Sequence, residues 1–290
     1  LRAGAAALAL GAMAFSGSAS AATKQAGDVH IIFITHGQAN DVYWSVVKNG
    51  VEAGQKVMGA KVDYHAPETF DMVQMAHLID AAVAEKPDAI VVSIPDADAL
   101  KKPIMDAKAA GIPVGVIDSG QDQVHDWGLD LWVGGGSEYD NGVHAGEIMG
   151  KAGVKHTVCV NHEVGNVSLD DRCRGFKDGL AKNGGATSDV LPASMDPTDT
   201  ASRVEAYLSS HADTDAILAL GPSAATPIMQ RLQQMGLLGK IKMGTFDLSP
   251  EVLEAIDKGD LMFGIDSQQY LMGYLPVVFF TMKAMYGTLP

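Results

Sequence analysis

Several short apolar runs in this chain end in the same kinds of side chain. His36, Gln38, Asn40, Asp41, Tyr43 and Trp44 follow the run His30–Thr35. Pro95-Asp96 follows Ala89–Ser93, and Asp118-Ser119 follows Pro113–Ile117. Asn161, His162, Glu163 and Asn166, then Arg172, follow Thr157–Val160. Pro222-Ser223 follows Ala216–Leu220, Phe246-Asp247 follows Lys242–Thr245, and Asp266-Ser267-Gln268 follows Met262–Ile265. Carboxylates, amides, one guanidinium and aromatic rings together suit a neutral polyhydroxyl ligand. A carboxylate accepts two hydroxyl hydrogens, arginine donates to ring or hydroxyl oxygens, and an aromatic face covers the C–H side of a sugar ring. Each residue alone also reads as a helix cap or turn former. The signal lies in the set.

Other chemistries lack their motifs. Gly134-Gly135-Gly136 does not have the spacing of a dinucleotide loop, and there is no Walker A sequence and no Gly-x-Ser-x-Gly. His162-Glu163 lacks the second histidine of a zincin, and the 9 histidines show no tight ligand spacing, so neither a metal nor a cofactor is expected. Paired carboxylates for glycoside hydrolysis remain open, because their separation is spatial.

The elements that must position these residues alternate. A strand at His30–Thr35 precedes an amphipathic helix over Tyr43–Met58, and a second strand follows at Lys61–Tyr64. Thr69 is expected to cap a helix whose apolar face is Met72, Met75, Ala76, Ile79, Ala82 and Val83. Ala89–Ser93 is apolar throughout, as in a strand buried on both faces. Asp96 is expected to cap the next helix, which Gly111 ends. Strand–helix alternation of this length indicates parallel α/β sheets with right-handed crossovers. Ser119–Gly128 is polar and aperiodic and is a candidate crossing between two domains.

Residues 1–22 have the pattern of a secretory signal: Arg2, an apolar run Ala5–Phe15 and a small-residue stretch Ser16–Ala22. The run is too short to span a bilayer of ~30 Å as a helix. With no cysteine at the cleavage region, the expectation is a chain free in the periplasm, beginning near Thr23. The composition, 47% hydrophobic and 19% charged, is that of a globular protein. A net charge of −14 disfavours nucleic acid and anionic membrane surfaces, and no later segment is expected to insert in a membrane. Cys159 on a strand and Cys173 on the following helix could pair in an oxidising compartment; two separate buried thiols are the alternative.

From about Asp28 to Pro290 the chain resembles the type I periplasmic binding proteins of sugar ABC transporters, the ribose/galactose-binding group. The resemblance rests on Phe33-Ile34-Thr35-His36-Gly37 with Tyr43-Trp44 and Lys48-Asn49-Gly50, on Pro87-Asp88-Ala89-Ile90, and on Ala110-Gly111-Ile112-Pro113-Val114. It continues through Ile117-Asp118, Arg172 before Gly175-Phe176, and Thr245-Phe246-Asp247. It implies two doubly wound parallel-sheet α/β domains joined by a multi-strand hinge: residues 28–134 plus 268–290 in one, 135–267 in the other. Closure about such a hinge is a known property of periplasmic binding proteins.

The resemblance further implies a carrier, not an enzyme, that takes a simple sugar or polyol in the interdomain cleft and delivers it to an ABC permease in the inner membrane. Tyr43 and Trp44 would stack on the sugar. Asp41, Asp118 and Asp247 would take hydroxyls, and Arg172 would be the ligand arginine. His36, Asn166, Ser223, Asp266, Ser267 and Gln268 complete the expected ligand set. Pro222-Ser223 stands where ribose binders carry Asn-Asp, Ser119 where they carry Arg, and Ser267 where Gln is expected. These departures point away from ribose, toward another pentose, a hexose, a sugar alcohol or an amine-bearing ligand. A carrier serving a membrane sensory receptor, and a sugar-acting enzyme, are the competing readings. A DNA-binding regulator on this core would need a helix-turn-helix where the signal stands. The resemblance places one crossing near Gly134-Gly135, one at Asp266–Gln268 and a third beyond Pro290. A C-terminally truncated chain, with a looser hinge and lower stability than an extended one, is therefore expected.

Overall fold

A computed structural model describes residues 24–37 and 41–289. The secretory signal expected at 1–22, and Gln38 and Asn40, lie outside the described residues. After a short 3₁₀ turn at Ala26–Asp28, the first domain runs β1 (His30–Ile34), α1 (Val42–Met58), β2 (Lys61–His65), α2 (Met72–Glu85), β3 (Ala89–Val92), α3 (Ala97–Ala109), β4 (Val114–Ile117), α4 (Gln121–Trp127) and β5 (Leu131–Val133). The second runs α5 (Glu138–Lys151), β6 (His156–Asn161), α6 (Val167–Lys182), β7 (Thr187–Pro192), α7 (Pro197–Ser210), β8 (Ala216–Ala219), α8 (Pro222–Gln234), β9 (Lys242–Phe246), α9 (Pro250–Lys258) and β10 (Phe263–Ile265). Helix α10 (Gln269–Tyr286) returns to pack on α1.

Both sheets are five-stranded and parallel, with order β2-β1-β3-β4-β5 and β7-β6-β8-β9-β10. The second order is the first displaced by five strands, so the two domains repeat one topology. In this arrangement the chain reverses direction across the sheet between β1 and β3, and between β6 and β8, and ligands bind beyond the carboxyl ends of the strands at such switch points.

Strand alternation explains the layers. Ile32 and Ile34 of β1 face Met75, Ile79, Leu100 and Ile104 of α2 and α3, whereas Ile31 and Phe33 face Val47, Val51, Met272 and Val277 of α1 and α10. In the second domain Val158 and Val160 meet α7, α8 and α9, and Cys159 meets α5 and α6. Sheets covered on both faces account for the wholly buried runs β3, β4 and β8. Cys159 and Cys173 form a disulfide, with a Cα–Cα distance of 5.8 Å.

Two local expectations are corrected and one strand is added. Asp71, not Thr69, caps α2, accepting from the N–H groups of Val73 and Gln74. The polar stretch Ser119–Gly128 is not a crossing between domains. It holds α4, a seven-residue helix with no buried residue, which returns the chain to β5 of the first sheet. Thr187–Pro192, unassigned in the sequence, is edge strand β7. Between the domains the described chain passes at residues 134–137 and 266–268. The two passages touch at Gly135, where a Cβ would lie 2.8 Å from the Ser267 Cα, so the close approach requires glycine.

Candidate functional site

The carboxyl ends of the two sheets meet across a cleft with an empty volume of about 380 Å³, open space at its mouth included. From the first domain it is lined by His36, Asp41, Tyr43, Trp44 and Asp118, and from the second by His162, Glu163, Asn166, Leu169, Arg172, Leu220–Ser223 and Asp247.

Asp118 directly follows β4 and takes a left-handed backbone, φ 63°. Its carboxylate accepts from the Tyr43 hydroxyl at 2.5 Å and from the Ser119 hydroxyl at 2.7 Å. Asp41 is at once the N-cap of α1, accepting from the Tyr43 N–H at 2.9 Å, and part of the cleft wall. Trp44 stands edge-on to His36 and Tyr43, ring centroids 4.8 and 5.0 Å apart. Asp96, at another strand end, only caps α3.

In the second domain Arg172, one helical turn and a half into α6, is buried beneath the cleft. Its Nε donates to Glu138 at 2.6 Å, its two terminal nitrogens to the Leu220 carbonyl at 3.0 Å and the Ser267 hydroxyl at 3.2 Å, and it lies 4.3 Å over the Phe246 ring. Asp247 follows β9 with φ 62° and lies 3.5 Å from Arg172. Its Oδ1 is buried without a hydrogen-bond partner, as is Nδ1 of His162, and both residues line the cleft. A buried unpaired polar atom is costly unless something satisfies it.

The domains also touch directly. Ser223 donates to Asp41 at 3.0 Å, the Val167 N–H donates to the Pro95 carbonyl at 3.1 Å, and Asn166 Nδ2 lies 3.3 Å from His36 Nε2.

Burial dominates the titration of the site. It pushes Asp247 up to about 7, against the pull of Arg172 and Ser267. It also raises Asp41, against the Tyr43 and Ser223 hydrogen bonds. Tyr43 is held well above its ordinary value by burial and the Asp118 charge, and His162 is lowered by burial. For Arg172 the charges of Glu138 and Asp247 outweigh burial and raise its pKa, so it stays a cation.

The structure brings together His36, Asp41, Tyr43, Trp44, Asp118, Asn166, Arg172, Ser223 and Asp247. Ser267 lies behind them, holding Arg172. Asp266 and Gln268 are exposed and do not line the cleft; they hydrogen-bond to each other at the crossing, which turns through a left-handed Gln268. His162 and Glu163, which follow their strand in the sequence but carry no assigned ligand role there, both line the site. Glu138, which anchors Arg172 from 34 positions away, had no signal in the sequence. Among the described residues, His30, Asp63 and Glu85 are close enough together to hold a metal. That group lies away from the cleft, and Lys61 already supplies Asp63 with a cation at 3.4 Å.

Comparison with known proteins agrees with this architecture. The chain matches the periplasmic binding protein domain family over residues 31–284 and belongs to that family. Its two repeated five-stranded domains are those of the type I sugar-binding members. A carbohydrate transporter from Acidothermus cellulolyticus, solved with myo-inositol, is 31% identical with a TM-score of 0.83, over 90% of this chain and 88% of that one. A periplasmic sugar-binding protein of an ABC transporter from Legionella pneumophila is 25% identical with a TM-score of 0.84, over 90% and 97%. The xylose/arabinose-binding protein XylF of Sulfolobus acidocaldarius is 26% identical over 263 residues, 86% of this chain. This chain spans 64% of that curated relative's length. No helix among the described residues is long and apolar enough to cross a membrane.

Proposed function

We propose that this protein is an exported carrier that closes on one neutral monosaccharide or cyclic polyol and passes it, unchanged, to an ABC permease. The observation that carries the reading is the pairing of Asp118 and Asp247, buried carboxylates at equivalent strand ends of the two domains, lining one cavity with the Asp247 Oδ1 unpaired. A ligand ring donating hydroxyls to both bridges the domains. Contacts available only in the closed arrangement shift the open–closed balance toward it.

Charge sets the ligand class. Asp41, Asp118, Glu163 and Asp247 line the cleft, while the guanidinium of Arg172 is engaged by Glu138, Leu220 and Ser267. Anionic sugars therefore meet carboxylates without a free cation, and neutral polyols meet acceptors. Myo-inositol, bound in the Acidothermus cellulolyticus structure, and the xylose and arabinose of the Sulfolobus acidocaldarius protein are of this neutral class.

A thermal-shift screen of the mature chain tests the proposal. A ligand binding only the folded state at 100 times its Kd stabilises it by about 2.7 kcal/mol. A pentose, hexose or cyclitol should raise the Tm, and a uronate or sugar phosphate should not. A panel in which no neutral sugar or polyol raises the Tm overturns the reading.

A further inference from the structure

His36 and Glu163 stand on opposite sides of the cleft, 2% and 8% exposed, and their Nε2 and Oε2 atoms are 3.5 Å apart. Neither has freedom to turn away. The His36 ring is pinned on the first domain by Nδ1 against the Ser93 hydroxyl at 2.8 Å, with the His36 N–H donating to the same oxygen at 3.0 Å. Trp44 and Phe70 meet the ring edge-on. Glu163 is pinned on the second domain, its N–H donating to Asn161 at 3.0 Å and its carboxylate accepting from Asn166 at 2.8 Å. The Asn166 amide cannot flip, since its oxygen accepts from the Ser168 N–H as the cap of α6.

We infer that His36 and Glu163 form an interdomain clasp, a positioning pair that holds the cleft closed more strongly when the imidazole is protonated and weakens when the proton leaves. A neutral His36 accepts from Asn166 through Nε2. A protonated one loses that acceptor role and directs its N–H at the Glu163 carboxylate, 3.5 Å away. Closure brings Glu163 toward Asp41 and Asp118, and the His36 Nε2 is 3.9 Å from the Asp118 carboxylate. The other charged or titratable groups lining this space are His162, Tyr43, Arg172 and Asp247. Burial lowers His162, the Tyr43 phenol keeps its proton, and Arg172 is already paired with Glu138. The imidazolium is thus the cation that lets Glu163 approach the two aspartates.

The titration directions agree. Burial lowers His36, but the Glu163 carboxylate beside it and the charges of Asp118 and Asp41 outweigh it, so its pKa is raised above 6.5. Burial raises Glu163, but His36, His162 and Asn166 outweigh it and bring it from 4.5 down to about 2. In the open state both groups return toward their ordinary values. A raised histidine favours closure fully below about 6.5, and that contribution is lost as pH rises through its closed-state pKa. A depressed glutamate favours closure fully above about 4.5, and that contribution is lost as pH falls toward its closed-state pKa. Closure is therefore strongest between these limits.

The test needs no sugar, so its failure leaves the ligand assignment standing, and the reverse. Spin labels on Glu68→Cys and Thr198→Cys, exposed positions on the two lips, report the lip-to-lip distance by pulsed electron resonance. At pH 5.5 the short distance should dominate. By pH 9 the short-to-long ratio should fall, by roughly tenfold for each unit by which closure raises His36. Glu163→Gln and His36→Gln should each show the long distance at both pH values. A wild-type distribution that does not change with pH overturns the clasp without any variant. So does a folded Glu163→Gln protein that keeps the wild-type pH response.

Discussion

Asp118 and Asp247 hold the same position in the two halves of the molecule. Each is the first residue after the fourth strand of its sheet order, each is buried, and each takes the left-handed backbone, with φ 63° and 62°. A non-glycine residue there costs about 1–3 kcal/mol and persists where the surroundings over-determine it. The geometry turns each carboxylate off its strand end into the shared cleft. Backbone strain, burial and a place on the cleft wall coincide at both residues.

Asp247→Asn separates function from stability. The amide keeps the shape but loses the charged acceptor, and hydrogen bonds to charged groups are worth about 1.5–3 kcal/mol. Affinity for the cognate sugar should fall by roughly 10- to 100-fold. The raised pKa of Asp247 means that ionising it, from an ordinary 3.8 up to about 7, costs the wild-type fold stability. The amide does not titrate, so the stability of the variant relative to wild type should rise from pH 4 to pH 8. Urea denaturation at both pH values checks this; a constant difference contradicts it.

Binding should release a proton. Ligand hydroxyls donating to Asp247 favour its ionised form, so its pKa falls from about 7 on binding. Calorimetry near pH 6.5 in buffers of different ionisation enthalpy should show net release, reduced in Asp247→Asn. Protonation of His36 on closure acts in the opposite sense, so His36→Gln should increase the release.

The helix pair behind the second sheet packs through glycines. A Cβ on Gly146 of α5 would lie 2.2 Å from the Phe176 carbonyl of α6. Gly146→Ala should destabilise the fold by about 1–3 kcal/mol, the usual cost of overpacking. The contact lies one helical turn beyond Arg172, away from the cleft, so affinity measured well below the Tm should change little.

The Cys159–Cys173 bridge ties β6, which leads into His162 and Glu163, to α6, which carries Arg172. Its sequence separation is 14 residues. Closing a loop of that size stabilises by about 3 kcal/mol in the chain-entropy account. The double Cys→Ser variant should unfold at correspondingly lower urea and bind more weakly, because both ligand-bearing segments loosen. Unchanged affinity would assign the bridge to stability alone.

The legible parts of this molecule were those with strong local signals. Ala89–Ser93 reads as a strand buried on both faces, Asp118 and Asp247 read as polar residues where apolar runs end, and Arg172 is singled out by the family resemblance. Edge strand β7 escaped because it is mostly exposed and ends in Pro192, without the apolar run of a central strand. Helix α4 escaped because it buries nothing and so has no apolar face to repeat. Asp266 and Gln268 looked like site residues because they end a strand, but that strand is β10, at the sheet edge beside the domain crossing. Glu163 acquires a partner only when His36, far away in the chain, is brought to it across the cleft. Such tertiary pairs have no local pattern to read.

The central claim is that one neutral polyhydroxyl ligand bridges the domains through Asp118 and Asp247. Titration calorimetry of the wild type, Asp118→Ala, Asp247→Ala and the double variant, with the best sugar or cyclitol from the thermal-shift panel, tests it most directly. Each single variant should lose at least about tenfold in affinity, with the two losses coupled because both carboxylates act on one closed state. Wild-type affinity in both single variants would contradict it.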